Sequence, residues 1–185
     1  MTNIFQSVLN TLKLEIDNEP KSPLHVGETM ACWMYGALMD EATIFMQIGL
    51  NSTSDNQLVA ILQESLTQCD KQSSELRNFM KKEGIHLPSV SEPRPDSDPK
   101  AVPLGAKMTD DEIANGISIK TATAIIHCAT SAAQSIRNDV GMMWVEFMNE
   151  KLVFGASLKK LMRERSWIKV PPYYYPPGRP SQSGH

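Results

Sequence analysis

The chain has 185 residues, 41% hydrophobic and 21% charged, an ordinary composition for one globular domain with one core. A formal net charge of -3 argues against nucleic acid as the main partner, and no apolar run approaches the ~20 residues a membrane-crossing helix needs. Three cysteines, Cys32, Cys69 and Cys128, form an odd set with no Cys-x-x-Cys spacing, which excludes a disulfide frame and fits a reducing compartment.

The N-terminus lacks the basic region and apolar core of a secretory signal, so a cytoplasmic location is expected. Ile4, Phe5, Val8, Leu9 and Leu12 share one face of a short amphipathic helix over residues 3–13. Residues 22–50 predict the first long helix, around which the rest is organised. Ser22 is the expected cap, Pro23 suits the first helical position and Gly49 can close the far end. Between Met30 and Met39 the residues are apolar or small on every side, which predicts burial all round.

The second helix opens at Ser54-Asp55-Asn56-Gln57, a capping-box pattern, and carries Leu58, Leu62, Leu66, Cys69, Leu76, Phe79 and Met80 at helical spacing. Lys81, Lys82 and Gly84 signal its end, and Pro88 cannot continue it. The short link between these two helices makes them antiparallel neighbours. Residues 85–107 hold prolines at 88, 93, 95, 99 and 103 and read as a crossover. Each long helix spans roughly 40 Å, and an extended segment of that length reaches ~70 Å.

Thr109-Asp110-Asp111-Glu112 opens the third helix with a second capping box, its acids at the positive dipole end. Ile113, Ile117, Ala124, Ile125, Cys128 and Ala132 form its inner face. After a break near residues 135–138, Val140, Trp144, Phe147, Phe154, Leu158 and Leu161 give the fourth helix a near-heptad stripe. From Lys151 onward seven Lys or Arg stand against Glu164 alone, a local +6 that leaves -9 for the rest. Pairing between basic and acidic helix ends explains this imbalance more simply than a polyanion site. Short, long, short connections between four long helices indicate two antiparallel pairs joined by one crossover, the ferritin-like arrangement.

The chain closes on Trp167-Ile168-Lys169-Val170-Pro171-Pro172-Tyr173-Tyr174-Tyr175-Pro176-Pro177-Gly178. With that tail, residues 24–28 (Leu-His-Val-Gly-Glu), 83–88 (Glu-Gly-Ile-His-Leu-Pro), 110–115 (Asp-Asp-Glu-Ile-Ala-Asn) and 134–141 (Gln-Ser-Ile-Arg-Asn-Asp-Val-Gly) carry a resemblance across nearly the whole chain. The sequence resembles an uncharacterised domain family of spore-forming bacteria, often present as tandem copies, that is similar to the ferritin-like spore coat F proteins. The resemblance implies a ferritin-like bundle and, by looser analogy, a place in the spore coat or the sporulating cell. It supplies no catalytic residues. Ser166 stands where that pattern leads one to expect glycine before the tryptophan.

A carboxylate-bridged di-metal bundle needs a Glu from each of two helices and Glu-x-x-His from each of the others. Here Glu64 is followed three residues later by Thr67, Glu75 by Asn78, Glu146 by Asn149 and Glu150 by Val153. The sole Glu-x-x-His, Glu83 to His86, has Gly84 inside it where the helix should end. A non-standard site for zinc, manganese or iron has His25, Glu28, His127 and Asp139 as its candidates, all placed at one end of the bundle. The competing reading pairs Glu28 with Arg137, gives Asp139 to the fourth helix's N-terminus and makes His127 a hydrogen-bonded core residue. The methionines are expected to be packing residues.

Tyr173, Tyr174 and Tyr175 sit between proline pairs on a stiff polyproline-like strand. They either clamp over the bundle or serve as a docking arm, and residues beyond Gly178 are expected to be disordered. These readings together predict an all-α, ferritin-like four-helix bundle over 1–170, with a short leading helix, and an extended Pro/Tyr tail over 171–185. The expected function is a non-catalytic structural or interaction protein without a cofactor. Its expected partners are a second copy, in a homo-dimer, and other spore coat proteins. The alternative is a metal-binding bundle or oxidoreductase. The two placements open are the cytoplasm and the spore coat.

Overall fold

The computed structural model describes residues 21–174 and 176. Its regular structure is four helices: α1 (Val26–Leu50), α2 (Asn56–Lys82), α3 (Asp110–Gln134) and α4 (Asn138–Glu164), with no strand among the described residues. The leading helix expected over 3–13 lies outside them, as do Tyr175 and the end of the tail.

Tyr35 of α1 meets Gln72 of α2 and Gly49 meets Leu62, so the first pair is antiparallel. Thr121 lies against Gly155, and Ala132 against Gly141, which makes α3 and α4 antiparallel too. Contacts of His127 with Ala31 and of Gly116 with Phe45 run α1 against α3. Helices α2 and α3 therefore point the same way, and the chain between them must travel the bundle's length.

That crossover follows α1. Gly36 faces Pro88, Asp40 accepts from the Ser91 N–H and hydroxyl, Gln47 accepts from the Arg94 N–H, and Asn51 bonds both Pro95 and Ser97. A segment with no ladder of its own thus has several backbone groups satisfied by α1 side chains. Between Pro88 and Ser97 it runs alongside α1 from Gly36 to Asn51.

The core joins Leu58, Leu62 and Leu76 of α2 with Ile113 and Ile117 of α3 and Trp144, Phe147 and Phe154 of α4, all 2% exposed or less. Deleting one such side chain costs about 2–5 kcal/mol, because the cavity left behind closes only in part. Cβ at Gly116 would come within 2.3 Å of the Phe45 ring, so glycine sets how closely α1 and α3 approach.

Several local expectations need correction. Helix α1 is capped by His25, not Ser22: its Nδ1 accepts from Gly27 N–H at 2.9 Å while Glu28 accepts from His25 N–H. The capping box overrides the preference for serine because Glu28 stands three residues after His25. Its far end is closed by Asn51 in the right-handed region, not by Gly49. Nor is α1 buried all round, since Met30, Trp33 and Met34 are 55%, 43% and 53% exposed. At α2 the cap is Asp55, which accepts from Gln57 and Leu58 N–H, and the Gln57 side chain accepts from Arg165 instead of folding back.

The Thr109/Glu112 capping box forms as expected. The end of α2 is a Schellman turn in which Gly84, at φ 72, donates to Lys81 and Ile85 donates to Met80. Helix α4 ends the same way with Ser166 at φ 59, its N–H on Arg163 and that of Trp167 on Met162. The turn survives without the glycine that the pattern favours.

Candidate functional site

The end of the bundle where α1 starts and α2 ends holds the densest polar network. Glu28, 3% exposed, accepts from Ile136 N–H at 2.9 Å and Arg137 N–H at 3.0 Å through Oε1, and from His25 N–H at 3.2 Å through Oε2. One carboxylate thus ties the first turn of α1 to the link between α3 and α4. The pairing expected between Glu28 and the Arg137 guanidinium does not occur. Opposite charges at one end of a bundle did not determine which group faces which.

The guanidinium instead spends all five of its N–H groups elsewhere. Nη1 and Nη2 donate to Glu83 at 2.7 and 2.9 Å, Nε and Nη2 to Asp139 at 3.0 and 2.7 Å, and Nη1 to the Ser22 carbonyl at 3.2 Å. The Phe79 ring lies 5.9 Å from its central carbon. Hydrogen bonds from Arg137 hold the Asp139 carboxyl below the usual range, and those to Asp139 and Glu83 push the guanidinium further up. Asp139 also accepts from Val140 N–H, so it serves the start of α4 as expected.

His127 lies deeper, half-buried. Its Nε2 donates to the Ala31 carbonyl at 3.0 Å, and its ring sits 5.4 Å from Tyr35 and 5.5 Å from Trp144. Because a carbonyl only accepts, the proton is on Nε2, and burial lowers the tendency of the ring to charge. Of the four candidate ligands only His25 and Glu28 approach one another, with Nε2 3.7 Å from Oε2. Both are already engaged in capping, Asp139 is held by Arg137, and His127 faces Ala31. Among the described residues no three His, Cys, Asp or Glu side chains gather as a metal site. His86 and Glu83 line an open surface cleft of about 640 Å³.

The middle of the bundle carries polar groups that sequence reasoning missed. Tyr35 donates to Gln72 Oε1 at 2.7 Å, and Gln72 Nε2 donates to Glu150 at 2.8 Å and to the Phe147 carbonyl at 3.3 Å. Lys71 closes this chain of bonds on Glu150. Nearby Lys151, 3% exposed, donates to Cys69 Sγ at 3.5 Å beside a cavity of ≈ 20 Å³, space for about one water. Gln72 and Lys151 occupy positions inside the apolar stripes 58-62-69-76 and 144-147-154-158. A polar residue interrupting such a stripe was the signal that would have found them.

At the other end the tail starts as a clamp. Asn115 Nδ2 donates to the Trp167 carbonyl at 3.0 Å, Trp167 packs on the core, and Lys169 pairs with Asp111 at 2.7 Å. Arg165 pairs with Asp55 at 3.0 Å. The basic end of α4 thus meets acidic helix starts, as the charge asymmetry suggested. Beyond the clamp Tyr173 and Tyr174 are 76% and 82% exposed.

Among the described residues no helix is long and apolar enough to cross a membrane. The chain is 29% identical over 157 residues to the uncharacterized protein YvdQ of Bacillus subtilis (strain 168), covering 85% of this chain and 92% of that one. Its fold matches the crystal structure of a "putative spore coat protein" from Bacillus halodurans C-125, with TM-score 0.81 and 28% identity. That match spans 83% of this chain and 97% of the other. Residues 14–179 match the model of the family described as "Protein of unknown function (DUF3231)", and the chain belongs to that family.

Proposed function

We propose that this chain is a non-catalytic structural and interaction bundle of ferritin-like arrangement, associated with the spore coat of the sporulating cell. The observation that carries the reading is the use made of the polar groups at the candidate site. Glu28 is consumed by three backbone N–H groups, and Glu83 and Asp139 by one fully engaged guanidinium. Groups so occupied hold helices in place, which supports a structural use of this cluster over a catalytic one. The exposed Tyr173 and Tyr174, and the likeness in fold to the Bacillus halodurans coat protein candidate, support a role in contact with other proteins.

The test is fractionation of mature spores of a Bacillus strain carrying the epitope-tagged chain. Recovery in the coat extract supports the reading, and restriction to the mother-cell cytoplasm overturns the placement. Plasma mass spectrometry on protein purified from medium supplied with iron, manganese and zinc tests the other half. About one metal per chain, lost in His25→Ala, would make a metal-binding bundle the better reading.

A further inference from the structure

Two cationic side chains are buried among the described residues, Arg137 at 6% exposed and Lys151 at 3%. Arg137 meets two carboxylates. Lys151 meets none among the described residues: its Nζ donates to Cys69 Sγ at 3.5 Å, and Glu150, its neighbour in sequence, is taken by Lys71 and Gln72. A thiol sulfur is a weak acceptor, whereas an ammonium group has three N–H donors to place. A buried charge is costly unless an opposite charge stands against it.

Lys151 and Cys69 share the wall of the ≈ 20 Å³ cavity on the bundle axis, which all four helices line. The polar part of that wall is Ser65 and Cys69 from α2, Lys120 and Thr121 from α3, and Lys151 from α4. Every one of these side chains can donate, two of them are cationic, and no Asp or Glu lines the cavity. Lys120 is half-buried and also holds its Nζ 5.2 Å from the centre of the Phe45 ring. A cavity of this size takes about one water or one ion of similar size. Its wall repels a metal cation by sign, and its volume is too small for a carboxylate or a phosphate.

We propose that this cavity is a binding site for one small monatomic anion, chloride. The ion supplies the counter-charge of Lys151, with the Ser65 and Thr121 hydroxyls as further donors. It joins α2, α3 and α4 at their common centre, so its binding favours the folded chain over the unfolded one. The site is separate from the polar network at the start of α1 and does not depend on where in the cell the bundle works.

The test is urea denaturation of the full chain in sodium chloride and in sodium gluconate, at matched ionic strength so that screening is equal. The wild-type midpoint is expected to lie higher in chloride and to climb with its concentration, as for any ligand of the folded state alone. Lys151→Met keeps an unbranched apolar side chain but removes the ammonium, and should lose the difference between the two salts. Wild-type crystals grown with bromide in place of chloride give a second measurement that does not depend on the variant folding. There an anomalous peak is expected in the cavity, within hydrogen-bond reach of Lys151 Nζ. Equal wild-type midpoints in the two salts overturn the site, and so does a chloride shift that persists in Lys151→Met. Water in the cavity of the bromide crystals, with no anomalous peak, overturns it too.

Discussion

Glu28 receives the backbone N–H of Arg137 at 3.0 Å, while the guanidinium of the same residue turns away to Glu83 and Asp139. Position and charge are thus handled by different partners. Removing Glu28 leaves the buried N–H of Arg137 and the partly buried N–H of Ile136 without an acceptor and also opens the cap of α1. At about 1–3 kcal/mol per unsatisfied buried group, Glu28→Ala should lower stability by about 3 kcal/mol. Glu28→Gln keeps an acceptor oxygen and should cost less. Urea denaturation, read as a shift of the midpoint, ranks the two; an equal midpoint for wild type and Glu28→Ala would remove the carboxylate from this role.

Arg137→Lys is expected to be severe although the charge is retained. Lysine has three donors on a point charge and cannot serve Glu83, Asp139 and Ser22 together. Leaving one of these partly buried carboxylates unpaired costs about 3 kcal/mol. The pairing also sets an acid limit. The folded Asp139 carboxyl lies below its ordinary value of 3.8, chiefly through Arg137, so its stabilisation is complete above that pH and is lost as the pH falls through the depressed value. Thermal melts from pH 7 to pH 3 should show a shallower acid slope for Arg137→Lys than for wild type.

His127 acts in the next window up. Burial holds its ring below the ordinary value of 6.5, so the unfolded chain takes up a proton there before the folded chain does. Stability from this residue is full above pH 6.5 and declines below it, by no more than ~1.4 kcal/mol per pH unit for one proton. Comparing wild type with His127→Gln between pH 5 and pH 8 isolates the effect. The gap between them should change with pH below 6.5 and stay constant above it.

What could be read from sequence was mostly local. Thr109 and Glu112 stand three apart at a helix start and form the box they spell, and the short and long links between helices fix the order of packing. His25 was harder, because serine ranks above histidine as a cap and only Glu28 three residues on reveals the box. Glu28 and Arg137 were brought together correctly, but charge complementarity does not say whether a carboxylate takes a side chain or a backbone N–H. Met30, Trp33 and Met34 show a further limit, since an apolar residue turned outward reads like one turned inward. Gln72 and Lys151 were missed, although each breaks an apolar stripe.

The three thiols should be silent in the folded protein. Burial pushes Cys32 up to about 12 and Cys128 up to about 11, and it raises Cys69 despite Lys151 beside it. All three are 2% exposed or less. The thiolate is the reactive species, so a thiol-specific reagent at pH 8 should label none of them in buffer and all three in denaturant. Fast labelling of one cysteine in buffer would show local opening at its helix.

Ser166 offers a test in the stabilising direction. It holds φ 59 at the close of α4, in a Schellman turn whose counterpart at the end of α2 uses Gly84 at φ 72. A residue with a Cβ is strained in the left-handed region by about 1–2 kcal/mol, while glycine gives part of that back through the extra freedom of its unfolded chain. Ser166→Gly should therefore raise stability by about 0.5–1 kcal/mol, and Ser166→Val should lower it by more, because β-branching adds to the strain. The turn also delivers Trp167 to the core and its carbonyl to Asn115, so the valine variant should loosen the start of the tail. Tryptophan fluorescence alongside urea titration distinguishes the outcomes. A Ser166→Gly protein no more stable than wild type would mean that the packing of Trp167, not the backbone of residue 166, limits how firmly α4 is closed.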